Sequence, residues 1–196
     1  GTRLRSDLKD LAASISVITK DFMDDVNATD MTSLLIHTLG TEVGGFGGNF
    51  SDLSNIEANG VFDDALGQPT PGIRIRGLFQ ADNTRGYFLS DLPQDTYNTE
   101  RVEVSRGANS ILFGLGSPSG IVNRSTIRAD TRKRATELSG SFGSYGSHRG
   151  TLDHNEVLLR NELALRLSTV FDHTRYRTEF AYIKRRAATL AATYRP

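Results

Sequence analysis

Few side chains in this chain are spaced for reaction, and more are spaced for holding something. His37, His148, His154 and His173 show no metal-ligand spacing. The adjacent carboxylates Asp24-Asp25 and Asp63-Asp64 read as solvated faces, and no nucleophile can be matched to a base and an orienting group. Gly114, Gly116 and Gly120 run Gly-x-Gly-x-x-x-Gly, which misses the dinucleotide fingerprint and has no long helix after it. No catalytic residue, cofactor or metal site is expected. Binding chemistry is better supplied, in three segments. Residues 41–52 carry Phe46, Asn49 and Phe50 among Gly44, Gly45, Gly47 and Gly48; residues 79–85 carry Gln80, Asp82, Asn83 and Arg85; residues 94–98 carry Tyr97. Aromatic faces beside hydrogen-bond donors and acceptors suit a small polar ligand. Each residue taken singly is also an ordinary solvated loop residue.

The elements that must position these segments are short. Val102 and Val104 alternate with Arg101 and Glu103, the pattern of a half-buried strand, and Gly107 ends it at a sharp turn. A short helix over 110–113, closed by Gly114, and a Gly-rich return strand complete residues 100–123. Upstream, Asp30 is a plausible cap for a helix over 31–39 that Gly40 terminates, packing through Met31, Leu34 and Leu35. Strands are expected at 14–19, 73–77, 87–91 and 101–106, forming a small mixed sheet within residues 14–125.

A change of character falls near residue 130, at the basic run Asp130-Thr-Arg-Lys-Arg-Ala135. This divides the chain into residues 1–128 and 129–196. Beyond it the chain reads as four antiparallel strands, at 136–142, 149–154, 158–171 and 182–194, with a tight turn near Asn155-Glu156 and a loop at 173–177. From Leu159 to Phe171 the odd positions are mostly apolar and the even ones mostly polar. That period-two pattern fits a membrane barrel strand, apolar outward and polar inward, and equally a soluble sheet with one wet face. Tyr194 at the end of the last run suits an interfacial girdle. With 23 basic and 23 acidic residues, bulk charge excludes a basic nucleic-acid-binding domain, and the absence of Cys excludes a disulfide scaffold. No window reaches the ~18–20 apolar residues of a spanning helix, and the first residues lack the apolar region of a signal peptide.

The run ERVEVSRGANSILFGLGSPSGIVN (100–123) resembles the signature of the plug domain of TonB-dependent outer-membrane receptors. GIRIRGL (72–78), YFLSDLPQD (87–95), SISVITKDFMDD (14–25) and LLIHTLGTEV (34–43) are similar to further plug segments, although Ser90-Asp91-Leu92 replaces the usual Asp-Gly and the last lacks proline. The resemblance implies an α+β plug, a small mixed sheet with short helices and loops, followed by the first antiparallel strands of a truncated transmembrane β-barrel. It implies a Gram-negative outer-membrane location, contact with membrane lipid, and capture of a small molecule, a ferric siderophore or a glycan, with no nucleic acid. The three segments above become apical loops that touch the ligand. Arg76 and Arg106 match arginines that pair with barrel-wall carboxylates and lock the plug in place. The segment engaging TonB, the signal peptide and the remaining strands are expected outside this stretch. A soluble β-rich binding module is the competing reading.

Overall fold

Strand β6 (Thr99–Arg106) is paired along both edges and organises the first of two units, Gly1–Thr126 and Ile127–Pro196. The computed structural model describes residues 14–44, 48–50, 72–90, 92, 94–107 and 117–196. In the first unit, β1 (Ser14–Thr19), β6, β7 (Gly120–Thr126), β4 (Asp82–Arg85) and β5 (Phe88–Leu89) lie in that spatial order. β4 runs parallel to β7 and every other pairing is antiparallel, so the sheet is mixed as expected. A separate two-stranded ribbon pairs β2 (Thr41–Val43) with β3 (Ile73–Ile75).

Alternation along β6 separates two environments. Val102 and Val104 are fully buried in a core with Ile18, Met23, Met31, Leu34, Leu35, Val43, Ile73, Ile75 and Val122. Two short helices cover that side. α1 (Lys20–Asp25) is capped by the Thr19 side chain, which accepts from the Phe22 amide at 3.4 Å. α2 (Met31–Leu35) opens with a capping box in which the Ser33 amide donates to Asp30 Oδ1 at 2.9 Å and the Asp30 amide to Ser33 Oγ at 3.2 Å. The expected helix over 31–39 therefore begins where the sequence placed it but stops at Leu35. Thr41 Oγ1 donates to the carbonyls of Leu35 and Thr38 at 2.7 and 2.6 Å, satisfying helix-end acceptors from outside. Gly40, at φ 69°, then turns the chain into β2.

Other expectations are corrected locally. Residues 79–85, read as a loop, contain β4, and residues 41–52 contain β2. The strand over 87–91 is reduced to Phe88–Leu89 because Gly86 and Tyr87, at φ 58° and 67°, make a two-residue hairpin turn that requires positive φ at both positions. The strand over 73–77 ends at Ile75, since Arg76 and Gly77 both have positive φ. The helix over 110–113 and its closing Gly114 lie outside the described residues. Gly120 is indispensable, because a Cβ there would sit 2.1 Å from the Ser105 carbonyl oxygen.

The second unit is a four-stranded open sheet in the order β11-β10-β9-β8, comprising β8 (Ala135–Phe142), β9 (His148–Leu159), β10 (Leu163–Arg175) and β11 (Tyr182–Tyr194). The turn expected at Asn155-Glu156 is instead at 160–162, with Asn161 at φ 65°. Asn155 instead ties the strand to the chain that precedes β8. Its Oδ1 accepts from the Asp130 amide at 2.9 Å and its Nδ2 donates to the Asp130 and Lys133 carbonyls at 2.8 and 2.6 Å. The strand expected over 158–171 is therefore β10, displaced toward the C-terminus, and Leu158 and Leu159 close β9. One face of the sheet is polar, with Arg166 Nε and Ser168 Oγ donating to the two oxygens of Asp153 at 2.7 and 2.6 Å. The other carries the exposed apolar side chains Leu138, Leu167, Phe171 and Leu190.

Leu34→Ala should lower the stability of the first unit by about 2–5 kcal/mol, because its side chain is wholly enclosed. Asp30→Ala should cost about 1 kcal/mol through the lost cap. Leu39→Ala, at an 88% exposed position, should stay within about 0.5 kcal/mol of the parent. Denaturant midpoints of the three variants check this ranking.

Candidate functional site

Two arginines meet at the turn that follows α2. The Arg76 amide donates to the Gly40 carbonyl at 2.9 Å, and Arg76 holds φ 57°. Arg106, at the end of β6, donates from Nη2 to the Leu39 carbonyl at 2.8 Å and from Nη1 to Ser16 Oγ at 2.7 Å. Partial burial and the nearby Arg76 charge both push the Arg106 guanidinium below its ordinary value. Among the described residues neither arginine has a carboxylate within ion-pair distance. Two cations held together without a counter-charge are electrostatically unfavourable in isolation, and Arg keeps its charge under such pressure.

On the polar side of β6 lies a network that the sequence reading missed. Glu103, 6% exposed, accepts from Tyr87 Oη and from Arg101 Nε, the latter at 2.8 Å. Asn123, opposite Glu103 in the ladder, accepts on Oδ1 from the Tyr87 amide at 2.8 Å and from Thr84 Oγ1 at 3.0 Å. The strained turn at Tyr87 is thus held by two neighbouring strands. Burial alone would raise the Glu103 carboxyl, but the bonds from Tyr87 and Arg101 outweigh it and hold the group below its ordinary value. Burial and the same bond raise the Tyr87 phenol.

The expected ligand contacts fall into separate neighbourhoods. Phe46 lies outside the described residues. Asn49 is used structurally: its Oδ1 accepts from the Val43 amide at 2.8 Å and its Nδ2 donates to the Thr41 carbonyl at 3.2 Å, capping the edge of β2. Phe50 supports the Arg74 guanidinium 4.3 Å above its ring. Gln80 is exposed and its carbonyl accepts from the Ser117 and Ser119 hydroxyls, while Asp82 Oδ2 accepts from the Ser117 amide at 2.8 Å. Asn83 is half-buried on β4, and its Oδ1 has no partner among the described residues.

Arg85 lies directly across from Arg124 in the β4–β7 ladder, and Tyr97 is near enough to act on the Arg124 charge. This arginine is 4% exposed and donates from Nη1 to the Asp95 carbonyl at 3.0 Å and Asn98 Oδ1 at 3.4 Å, leaving Nε without a partner among the described residues. Burial, aided by the Arg85 charge, pushes it down to about 10. One signal was available in sequence: Arg124 follows Val122 at the strand period, so it occupies the apolar side of β7. The segment 94–98, expected as a solvated loop, is mostly buried. The Thr96 amide and hydroxyl donate to the carbonyls of Thr29 and Ala28, at 3.2 and 2.8 Å.

Residues 7–121 match the family model described as TonB-dependent Receptor Plug Domain. The probable TonB-dependent receptor BfrD of Bordetella pertussis is 30% identical over 167 residues, which cover 82% of this chain and 20% of that protein. The catecholate siderophore receptor Fiu of Escherichia coli K12 is 28% identical over 171 residues, 84% of this chain and 20% of Fiu. The chain spans about a fifth of the length of the curated relatives it matches. The crystal structure of the closed form of the ferric-catecholate import receptor Fiu has a similar fold, with a TM-score of 0.76 at 22% identity over 95% of this chain and 24% of that one.

The Glu103 network makes stability depend on pH in a defined direction. A carboxyl lowered by folding contributes stability that is complete above the unfolded value of 4.5 and is lost as pH falls through the folded value. Denaturant midpoints should therefore fall below about pH 4.5 in the parent and vary less with pH in Glu103→Gln. Tyr87→Phe should cost about 1.5–3 kcal/mol at pH 7, the range of a hydrogen bond to a charged group. Parallel pH profiles for the parent and Glu103→Gln would contradict the assignment.

Proposed function

Because this chain belongs to the TonB-dependent receptor family through its plug domain, we propose that it forms the plug, residues 1–128, and the first wall strands, 129–196, of a Gram-negative outer-membrane receptor. In this reading the receptor captures a ferric siderophore, and TonB energises its uptake into the periplasm. The observation that carries the membrane part is the second unit's sheet. Its longer strands have 12–13 residues, with one exposed apolar face and one hydrogen-bonded polar face. A wall strand facing lipid on one side and the lumen on the other needs that division.

Relatives that are receptors for catecholate siderophores support the ligand class. Within the first unit, Arg85 and Tyr97 are the contacts this reading rests on, because they share a neighbourhood with the buried cation Arg124. A fixed positive charge beside an aromatic face suits an anionic chelate. Arg76 and Arg106 are assigned to the lock. Their uncompensated charge is met by carboxylates of the barrel wall, and removal of one partner leaves a buried charge at a cost of several kcal/mol. Force applied through TonB would break this lock and remodel the plug, opening a path for the ligand.

Arg106→Ala in the full-length receptor should increase ion conductance and sensitivity of cells to large antibiotics at equal surface expression; unchanged values would count against the lock. Arg85→Ala combined with Tyr97→Ala should weaken uptake of a labelled ferric catecholate by about tenfold or more, roughly 1.4 kcal/mol. Saturable, proton-motive-force-dependent uptake of an oligosaccharide, with no response to iron limitation, would replace the siderophore by a glycan.

A further inference from the structure

The apolar face of the second unit ends in a group of rings and cations. By register His173 lies opposite His148 and Lys184, Phe171 opposite Arg186, and Arg175 opposite Tyr182, which puts all seven side chains on one face. His148 stacks on Phe171 at 5.7 Å between centroids and meets His173 edge-on at 5.2 Å; His173 meets Tyr182 edge-on at 5.9 Å. The cations rest on these rings. Arg186 lies 5.0 Å from the Phe171 centroid and Lys184 5.1 Å from that of Tyr182. Among the described residues, Arg175, Lys184 and Arg186 have no carboxylate partner. The carboxylate this face does carry, Glu156, is at the other end of β9 and pairs with Arg134 at 2.8 Å.

Immediately beside this group the face is hollow. Gly140 and Gly150 are directly paired across β8 and β9, so two side chains are missing from the same spot. The result is an open trough of about 570 Å³, walled by Leu138, Leu152, Phe171 and Ala188 over Gly150, with Arg186 at its rim. Depth is consistent with an interface. From Tyr194 to Arg186 the strand advances about 26 Å at ~3.3 Å per residue. A tilt of ~40° reduces this to about 20 Å, against an apolar band of about 25 Å. Arginine and lysine there can extend their heads to the headgroup level.

We propose that this face binds a membrane lipid with a net-anionic phosphate headgroup, the phosphate on Lys184 and Arg186 and an acyl chain in the trough over Gly150. The proposal rests on the membrane reading above. Charge complementarity selects the headgroup: on the strands at that end this face carries Arg175, Lys184 and Arg186 and no carboxylate, Asp172 facing the other side beside Arg185 and Glu179 lying in the loop beyond, and a guanidinium binds phosphate with paired hydrogen bonds. Continuity with the trough selects an amphiphile over a free anion or a sugar. Aromatic rings at the same level fit the boundary between chain and headgroup.

The test uses the full-length receptor purified in detergent, with dilauroyl phosphatidic acid, dilauroyl phosphatidylcholine and inorganic phosphate as probes. Binding is read by native mass spectrometry and by the shift in Tm. Phosphatidic acid should bind about tenfold more tightly than phosphatidylcholine, and inorganic phosphate should produce no shift. Lys184→Ala with Arg186→Ala should abolish that preference, bringing phosphatidic acid down to the affinity of phosphatidylcholine. Gly150→Leu should weaken both lipids by filling the trough. Its backbone tolerates a side chain, since the nearest atom to a Cβ is the Ser139 carbonyl oxygen at 3.9 Å. Equal binding of the two lipids, an unaltered preference in the double variant, or a shift with inorganic phosphate equal to that with phosphatidic acid would overturn the site. Insertion into vesicles is scored separately. Failure to insert defeats the membrane reading, whereas an inserted receptor without the preference defeats only the lipid site.

Discussion

Close approach of β7 to β6 at Gly120 is the contact on which the rest of the first unit depends. The Ser105 carbonyl occupies the space a side chain would need, so the pairing can start at Arg106–Gly120 only with glycine there. From that start the register carries Val122 against Val104 and Asn123 against Glu103. One strand pair thereby supplies both the apolar layer beneath α1 and α2 and the polar layer that holds the Gly86–Tyr87 turn. A slip of one residue would exchange the two layers, exposing valines and burying an unpaired carboxylate.

The polar layer explains why a positive-φ tyrosine persists. Tyr87 stands in a backbone region that non-glycine residues seldom occupy. Its amide and its hydroxyl are each held by a different strand, through Asn123 and Glu103, and those bonds offset the local strain. The arginine pair at the Leu39–Gly40 turn shows the opposite arrangement. There the backbone brings two like charges together, and the described residues provide carbonyls and a hydroxyl but no carboxylate. Hydrogen bonds to a carbonyl and a hydroxyl position the Arg106 guanidinium without neutralising it.

Sequence patterns were most informative where one strong periodicity or cap acted alone. β1 and β11 have the expected bounds, and Asp30, Met31, Leu34 and Leu35 take their expected roles. Failures occurred where a residue's local preference was redirected by distant partners. Asn155 looks like a turn former, yet its amide is consumed by the backbone at 130 and 133. Thr41 ends α2 from outside the helix, which no local propensity reveals. The segments rich in Asn, Asp and Gly looked like loops because a short polar strand such as β4 lacks alternation and is specified by its pairing with β7 and β5. The expected ligand-contact residues share a composition but not one location, and the buried Arg124 beside Arg85 was visible only as a charge at an apolar strand position.

Adjacent residues of β7 connect features that lie far apart in sequence. Asn123 points to the polar side and fastens the Tyr87 turn, while Arg124 points to the other side and fastens the segment 94–98 through the Asp95 carbonyl and Asn98. That segment is in turn tied to the start of α2, where the Met31 amide donates to the Gln94 carbonyl at 3.3 Å. A movement of the hairpin turn therefore strains β7, and β7 cannot twist at Asn123 without displacing Arg124. Because Arg124 is buried and retains charge, the carbonyls that receive it cannot be abandoned without leaving a cation unsolvated. The Arg85 and Tyr97 neighbourhood is for this reason mechanically continuous with the sheet, and the sheet is continuous through β6 with Arg106. The Arg85 neighbourhood at one end and Arg106 at the other are linked by two strands, β7 and β6.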